Sequence, residues 1–474
     1  MTKYRVEKDT LGVMRVPFAA YYGVQTVRAG ENFPISGIMP KPVFIVATAM
    51  VKKAASAANR SLGLLDKQLA SAITRAADEV ISGKLHKEFI VDAYQAGAGT
   101  SHNMNANEVI ANRAIELLGG KKGGYSTLHP NDHVNMSQST NDVIPTAMRL
   151  AALASSEKLL GSLGNLEKAL KRKSREFDRV IKSGRTHLQD AVPIRLGQEF
   201  GSYGASVRSS IERIKCARDR LKNIGLGGTA VGTGLNTHPG YSRKVIKELG
   251  RVSGIKGLRI APDAFEAIAS MGDFSFFSGA LRTAAIELIR IANDLRLLSS
   301  GPATGFAEII LPAVQPGSSI MPGKVNPVMA EMLDMVCFQV IGNDTAVTLA
   351  AEAGQLELNV MMPVINYNIL QSIEILDSSV RAFAERCVSG IKADKKRCRK
   401  YFEKSAGLAT ILNKLIGYEQ AAKVAKESID TGKTIKDIVI EKGILTEKEW
   451  KKVLEPMRVT QANGNINGMK KKRS

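Results

Sequence analysis

Apolar residues recur at helical spacing through the middle of the chain. Between Val143 and about Lys182 they stand three or four positions apart, or at multiples of that step. The same stripe continues for about thirty residues from Pro193, a residue suited to the first turn of a helix. This period is typical of helices that bury one face. The same pattern predicts further long helices over Ala264–Ser300, Pro327–Ala351 and Leu356–Cys387.

Helices of this length need partners along their whole extent. At about 1.5 Å per residue, a helix of roughly thirty to forty residues is about 45 to 60 Å long, which exceeds the width of a small domain. Five such segments therefore predict an elongated bundle whose apolar stripes also serve contacts between subunits. We expect a mainly α-helical fold and a homo-oligomer.

Shorter helical segments flank the bundle. They are predicted over Pro42–Arg60, Leu69–Ser82, Asn105–Leu118, Glu419–Asp430 and Thr446–Leu454. We accordingly expect an N-terminal, mainly helical domain over 1–140, the bundle over 141–396 and a small C-terminal helical domain over 397–474. The final stretch, QANGNINGMKKKRS, is polar and basic and is predicted to be a solvated, disordered tail.

Charge and composition narrow the choice of partner. Lys and Arg number 66 against 45 Asp and Glu, a net charge of +21 that favours an anionic partner such as nucleic acid, an acidic membrane face or a small carboxylate or phosphate. Aromatic residues make up only 5%, too few for a surface that stacks bases, so nucleic-acid binding is not expected as the main role. The sequence contains no apolar run of about 18 residues, so no membrane span is expected. Four cysteines without a CxxC pair indicate a reducing compartment, and we expect a cytoplasmic protein.

Two motifs resemble cofactor sites, but their contexts argue against that interpretation. The segment GLGGTAVGTG at 225–234 follows a helical pattern and lacks the preceding strand of a dinucleotide-binding loop. His129 and His133 have the spacing of helical metal ligands, but Pro130 and Asn131 between them favour a turn. We expect neither a cofactor nor a metal ion.

Polar residues concentrate in four segments at the edges of predicted helices. The first is AGAGTSHNMN, where Gly97 and Gly99 let a ligand approach the backbone closely. In the same segment Thr100, Ser101 and Asn103 offer neutral hydrogen bonds.

The second and third segments also leave a structural alternative open. In SQSTND, Ser139, Thr140 and Asn141 either cap the first long helix or hold a carboxylate at its positive end. In GRTHLQD, Thr186 and His187 lie in a polar turn, where the histidine is either structural or meets a ligand.

The fourth segment, Gln315–Pro327, is an irregular loop that carries Ser318, Ser319, Lys324 and Asn326. Lys324 and Asn326 can bind one carboxylate, while hydroxyl and backbone N–H groups can receive charge that develops on another. The four segments together predict a site for small carboxylates.

At this loop the chain resembles the aspartase and class II fumarase superfamily. The superfamily motif GSSxMPxKxNP appears as GSSIMPGKVNP at 317–327, supported by GRTHLQDA, VGTGLN and QVIGND at compatible positions. The similarity extends from about Arg5 to about Pro456. It implies a three-domain subunit whose long helices form a twenty-helix core in a homotetramer, with active sites shared between three subunits.

The implied reaction is elimination from a four-carbon dicarboxylate to give fumarate through an aci-carboxylate. YYGVQT, YQAGAGTS, QSTND and EAGQLELN resemble the aspartase branch, which forms fumarate and ammonium reversibly from L-aspartate. HPNDHVN at 129–135 is nearer to the fumarase pattern, including residues of a secondary carboxylate site. Met362 departs from the acidic residue common in aspartases. The alternatives are a class II fumarate hydratase and a catalytically silent homologue.

The resemblance also implies roles for single residues. Ser318 corresponds to the general base, although matching of pKa to pH alone would nominate His187. Lys324 and Asn326 correspond to ligands of the α-carboxylate. The residues expected around the β-carboxylate are Thr100, Ser139, Thr140 and Ser319, and those expected near the amino group are Asn141, Thr186 and His187.

Overall fold

The structure, a computed structural model, describes residues 3–462 and is mainly α-helical. The helices are α1 Val24–Asn32, α2 Pro42–Ser61, α3 Lys67–Ile81, α4 Thr100–Leu117, α5 Thr140–Glu176, α6 Leu196–Arg220, α7 Tyr241–Ser253, α8 Ala264–Ala269, α9 Gly272–Leu298, α10 Val328–Glu352, α11 Met362–Arg386, α12 Lys395–Lys404, α13 Ala409–Ile416, α14 Tyr418–Thr431, α15 Ile435–Glu441, α16 Glu447–Val453 and α17 Pro456–Val459. The strands are β1 Tyr4–Asp9, β2 Gly12–Pro17, β3 Ile181–Thr186, β4 Gln189–Arg195, β5 Asn223–Ile224, β6 Arg259–Ile260, β7 Ile309–Ile310 and β8 Lys392–Ala393.

The strands form four separate pairs. β1 with β2, β3 with β4 and β7 with β8 are antiparallel, whereas β5 and β6 are parallel. None of the helices in residues 3–462 combines the length and hydropathy needed to cross a membrane. The mainly α-helical fold class predicted from periodicity is confirmed.

The chain divides into two compact units. The first contains residues up to 161, 212–285 and 338–377, and the second contains 162–211, 286–337 and the residues from 378 onward. This division groups segments that are distant in sequence, whereas the predicted boundaries after 140 and 396 follow chain order. The three-domain division stays a prediction.

The first unit has a core built largely from small side chains. Ala49 of α2, Ala72 and Ala76 of α3, and Ala106 and Ala111 of α4 are almost completely buried. Small residues allow helix axes to approach closely and still exclude water. Asp66 fixes the start of α3, because its Oδ1 accepts hydrogen bonds from Gln68 N at 2.7 Å and Leu69 N at 3.1 Å.

The second unit has a separate core in its C-terminal helices. Trp450 of α16 packs with Leu412 and Ile438, and Ile181 of β3 joins the same cluster. Capping boxes begin two of these helices, with Thr434 at α15 and Thr446 at α16.

Several helices end close to their predicted limits. α2, α3, α10, α14 and α16 differ from the predicted bounds by at most two residues at either end. For α3 and α14 periodicity is informative because each of these helices buries one apolar face in its unit.

The prediction is wrong between residues 177 and 195. A β-hairpin, β3–β4, stands where the sequence predicted the end of one helix and the start of another. Pro193 is not in a first helical turn but pairs with Ser183 across this hairpin. A two-stranded sheet tolerates a proline because one edge of each strand needs no N–H donor.

Three helix limits also differ from the prediction. α4 begins at Thr100 instead of Asn105, and α11 begins at Met362 instead of Leu356. The predicted helix from Ala264 is broken into α8 and α9, because Ser270 is extended and its Oγ accepts a hydrogen bond from Gly272 N at 3.1 Å. The KKKR run of the predicted tail lies outside the described residues.

Gly197 allows the first residues of α6 to lie against the end of α5. A Cβ atom at Gly197 would stand 2.3 Å from the carbonyl oxygen of Ser174. We expect Gly197→Ala to lower the free energy of unfolding by about 1 to 3 kcal/mol, since backbone must move to admit the methyl group. Urea denaturation measures the change.

Gly161→Ala in α5 is the matched control, because nothing lies within 4 Å of the position that its methyl group would take. Alanine favours a helix over glycine, so this variant should gain about 0.5 to 1 kcal/mol. Equal effects of the two substitutions would contradict the close approach at Gly197.

Candidate active site

A capped turn places Ser139, Thr140 and Asn141 at the start of α5. Ser139 N donates to Asp142 Oδ1 at 2.9 Å, and Ser139 Oγ accepts from Asn141 N at 3.3 Å. Ser139 therefore caps α5, which is the structural role that the sequence left open as an alternative to carboxylate binding. The same turn exposes part of each side chain at the positive end of a helix of 37 residues.

Asp142 ties this turn to the glycine-rich segment at 225–234. Its Oδ2 accepts hydrogen bonds from Gly227 N at 2.9 Å and Thr229 N at 3.0 Å. Asn141 adds a bond from Nδ2 to Ala230 O at 2.8 Å. Burial raises the pKa of Asp142 to about 6, while the three backbone amides oppose that shift.

The start of α4 lies beside the start of α5. Thr100 is the exposed first residue of α4, and its Oγ1 donates to Gly97 O at 3.2 Å. A Cβ atom at Gly99 would approach Ile144 of α5 to 3.1 Å, so the two helices begin in close contact. Thr100 and the Ser139–Asn141 turn are thereby brought to neighbouring helix ends in the first unit.

One turn further along α4, Asn103 supports the site from within. It is 1% exposed, and its Nδ2 donates to Thr140 Oγ1 at 3.0 Å and to Asn135 Oδ1 at 3.3 Å. Asn107, one turn later, donates to the same Asn135 oxygen at 3.2 Å. The neutral hydrogen bond that the sequence predicted for Asn103 is therefore made to Thr140 from a buried position.

A fully buried lysine completes this polar cluster. Lys52 of α2 donates from Nζ to Asn135 Oδ1 at 2.8 Å and to Gln138 Oε1 at 3.0 Å. Burial lowers the pKa of Lys52 to about 7, against the attraction of Asp142. Burial also lowers the pKa of nearby His102 to about 3, so its imidazole is neutral.

In the second unit, Thr186 and His187 stand at the tip of the β3–β4 hairpin. Thr186 pairs with Gln189, and His187 and Leu188 form the two-residue turn between them. Both turn residues have positive φ, +55° and +59°, which is unusual for residues other than glycine. The histidine is exposed in a turn, as the sequence predicted, but between strands instead of helices.

The loop Gln315–Pro327 closes on itself. Gly317 N donates to Lys324 O at 2.8 Å, and Asn326 Nδ2 donates to Gly317 O at 2.6 Å. Ser318 Oγ accepts hydrogen bonds from Ile320 N at 3.2 Å and Met321 N at 3.0 Å. Two amide donors thus already face the oxygen atom of Ser318.

The candidate residues fall into two groups within one chain. Thr100, Ser139, Thr140 and Asn141 belong to the first unit, and Thr186, His187, Ser318, Ser319, Lys324 and Asn326 belong to the second. Within the second unit, no hydrogen bond or ion pair of the described residues joins the hairpin tip to the loop.

Sequence reasoning missed four supporting residues, the buried Lys52, Asn107 and Asp142 and the partly exposed Asn135. One signal was present in α4, which contains Asn103, Asn105, Asn107 and Asn112 in 18 residues. Asparagine is disfavoured inside helices, so this density indicates buried polar contacts. Lys52, in VKKAASAA, has no comparable local signal.

The segment around His129, predicted as a turn, forms a single helical turn at Pro130–Val134. His129 Nδ1 accepts hydrogen bonds from Asn131 N and Asp132 N, so it caps this helical turn. Within residues 3–462, no cluster of three or more His, Cys, Asp or Glu side chains is arranged to hold a metal ion.

Comparisons with known proteins cover nearly the whole chain. A family model described as lyase matches residues 12–342, and one described as fumarase C C-terminus matches 408–461. Aspartate ammonia-lyase from Bacillus subtilis is 52% identical over 97% of this chain and 96% of its own. Fumarate hydratase class II 2 from Bradyrhizobium diazoefficiens is 49% identical over 96% of this chain and 97% of its own.

A solved structure agrees with these sequence comparisons. The crystal structure of fumarate lyase:delta crystallin from Brucella melitensis has a TM-score of 0.94 and 50% identity to this chain, covering 97% of it and 100% of the crystallised chain. The protein therefore belongs to this lyase family. The resemblance predicted from GSSIMPGKVNP is confirmed.

Replacing Lys52 with Met should change how stability depends on pH. The pKa of Lys52 falls from 10.5 to about 7 on folding, so between these values the unfolded chain binds the proton more tightly. The free energy of unfolding of the wild-type protein therefore rises with pH, and Lys52 contributes about 1.4 kcal/mol per pH unit to this rise. The Lys52→Met variant lacks this contribution. Denaturation at pH 7, 8 and 9 measures the difference.

Lys53→Met provides the control, because Lys53 is partly exposed and pairs with Asp78. Its stability difference from wild type should stay nearly constant from pH 7 to 9. A pH-independent difference for Lys52→Met would contradict a desolvated ammonium group at Lys52.

Proposed function

We propose that the protein is an aspartate ammonia-lyase that converts L-aspartate reversibly to fumarate and ammonium. The observation that carries the proposal is likeness along nearly the whole chain to proteins named aspartate ammonia-lyase, from several bacteria. The segments YYGVQT, YQAGAGTS, QSTND and EAGQLELN favour the same branch.

The first chemical step is removal of a proton from the carbon beside the β-carboxylate. Ser318, as an alkoxide, takes this proton, and the C–H electron pair moves into the β-carboxylate to form an aci-carboxylate. The amides of Ile320 and Met321 support this role, because they donate to the Oγ atom on which negative charge must form. The positive charge of Lys324, in the same loop, adds to this stabilisation.

The aci-carboxylate carries the extra charge of the intermediate. Thr100, Ser139, Thr140 and Ser319 donate hydrogen bonds around it. The positive end of α5 supports this assignment, since a helix N-terminus attracts anions. Asn103 supports it too, because it holds the Thr140 hydroxyl from a buried position.

The second step breaks the carbon–nitrogen bond. The electron pair held in the aci-carboxylate forms the double bond of fumarate, and the amino group leaves as ammonia. Lys324 and Asn326 bind the α-carboxylate throughout, while Asn141, Thr186 and His187 face the amino group. His187 can accept a hydrogen bond from that group when its imidazole is neutral.

We also propose a homotetramer in the cytoplasm, with each site completed by three subunits. Apolar side chains on the long helices support assembly, because Phe276 of α9 and Met335, Phe338 and Leu349 of α10 are each more than half exposed. Aromatic residues and methionine are enriched where protein chains meet. The four unpaired cysteines support a reducing compartment.

Fumarate hydratase is the second candidate function. HPNDHVN at 129–135 follows the fumarase pattern, and the relative from Bradyrhizobium diazoefficiens is named as a fumarate hydratase. Both reactions share the proton removal and differ in the leaving group. The residues facing that group therefore decide between them.

We expect the purified protein to form fumarate from L-aspartate much faster than from L-malate. Ultraviolet absorbance of fumarate follows both reactions under the same conditions. Faster turnover of L-malate would assign the chain to the hydratase instead.

Ser318→Ala should lower the turnover of L-aspartate by about 10²- to 10⁴-fold, the usual cost of losing a general base. Binding of a non-reacting dicarboxylate such as succinate should persist, because its carboxylates meet other residues. Ser202→Ala, at an exposed serine of α6, serves as the control and should retain full activity. Full activity of Ser318→Ala would refute the assigned base.

A further inference from the structure

A largely buried ion cluster lies along β3 of the hairpin that carries Thr186 and His187. Glu308 stands just before β7, and its side chain is completely buried. Both of its oxygens accept hydrogen bonds from Arg185 of β3, from Nη2 to Oε1 at 2.9 Å and from Nη1 to Oε2 at 3.1 Å. This two-point contact fixes the plane of the guanidinium group.

The same carboxylate also binds a second cation of the hairpin. Lys182 Nζ lies 2.9 Å from Glu308 Oε2 and 3.0 Å from Glu199 of α6. Two cations therefore face two carboxylates; Lys182 and Glu308 are almost completely buried, whereas Arg185 and Glu199 are partly exposed. Loss of Glu308 would leave Arg185 without its carboxylate partner and Lys182 with Glu199 alone, so the arrangement depends on the position of Glu308.

Aromatic rings complete the surroundings of Arg185. The centre of its guanidinium group lies 4.2 Å from the centroid of Phe306 and 5.8 Å from that of Tyr401. A planar guanidinium stacks on such rings, which a lysine ammonium cannot do in the same way. Arg185 is thus fixed by charge, by hydrogen-bond geometry and by stacking.

The backbone of Glu308 is held as firmly as its side chain. Glu308 N donates to Leu298 O at 2.9 Å, and Asp394 N donates to Glu308 O at 2.9 Å. The carboxylate is therefore anchored to the end of α9 and to the segment before α12. Arg185 immediately precedes Thr186, so this anchor lies next to the hairpin tip.

We propose that the Glu308–Arg185 ion pair is the positioning device for Thr186 and His187 at the amino-group end of the site. The proposal rests on the proposed function, which places both residues near the leaving ammonia. The two-residue turn has strained backbone angles at His187 and Leu188, and a turn of this kind needs firm support at its base. Arg185 and Glu308 are positioning residues, because neither touches the substrate.

Arg185→Lys tests this role, since it keeps the charge but loses the two-point contact and the stacking. In the direction of aspartate synthesis we expect the KM for ammonium to rise about ten-fold, as expected for a small displacement of binding groups. The KM for fumarate should change less than two-fold, because other residues bind the carboxylates.

Arg195→Lys is the matched control on the same hairpin. Arg195 of β4 is also nearly buried and pairs with Asp178, but it lies at the end of the hairpin away from the tip. Arg195→Lys should change the midpoint of thermal unfolding about as much as Arg185→Lys does. It should leave the KM for ammonium unchanged. Equal KM values for ammonium in the two variants would overturn the proposal.

Phe306→Leu decides the matter if Arg185→Lys does not fold. This variant removes one stacking ring and retains every charge. It should raise the KM for ammonium about three-fold, and an unchanged KM would overturn the proposal. Wild-type turnover is measured first: absence of any reaction between fumarate and ammonium refutes the proposed function itself, separately from the positioning role.

Discussion

Buried carboxylates that accept several hydrogen bonds hold the irregular segments of this protein in place. In the first unit, Asp142 joins the start of α5 to the segment at 225–234 through three backbone amides. In the second unit, Glu308 holds two cations of the β3–β4 hairpin. Burying a carboxylate without such partners costs several kcal/mol. Each carboxylate therefore holds its segment only when all of its partners are in place. The segments fixed in this way carry the polar residues proposed to bind substrate.

The fold could be predicted where a helix has one apolar face and clear capping residues. α3 meets both conditions, with Asp66 as its cap, and its limits agree with the sequence to within two residues. The hairpin at 181–195 could not be predicted, because Ile181 and Ile194 fit a helical stripe as well as a strand. What decides for the strand is tertiary: Ile181 packs into the C-terminal core, and Ser183 Oγ donates to Ser405 Oγ at 3.2 Å. The spacing of apolar residues along the sequence reveals neither of these tertiary contacts.

The candidate site could be predicted only as far as its exposed polar groups. Ser139, Thr140 and His187 lie in turns that the sequence marks plainly, with capping residues or a break in the apolar stripe. Lys52 and Asn135 are different, because 83 positions separate them and their 2.8 Å contact depends on how α2 packs beside the turn before α5. In the sequence, the buried Lys52 with its neighbouring alanines does not differ from a lysine on the surface. The role of Lys52 depends on its burial, which the sequence alone does not reveal.

The assignment of the base follows from which parts of the site are able to move. The loop around Ser318 is held mainly by its own hydrogen bonds, Gly317 with Lys324 and Asn326 with Gly317, so it can shift as one piece without breaking them. The hairpin tip at His187 is different, because the ion pair of Arg185 holds its base. A base must be enclosed with the substrate when a C–H bond breaks, since water weakens the electrostatic stabilisation of the carbanion. We therefore propose that the segment able to close supplies the base and that the rigid one receives the amino group. This division of labour favours Ser318 over His187 despite the poorer match of a hydroxyl to neutral pH.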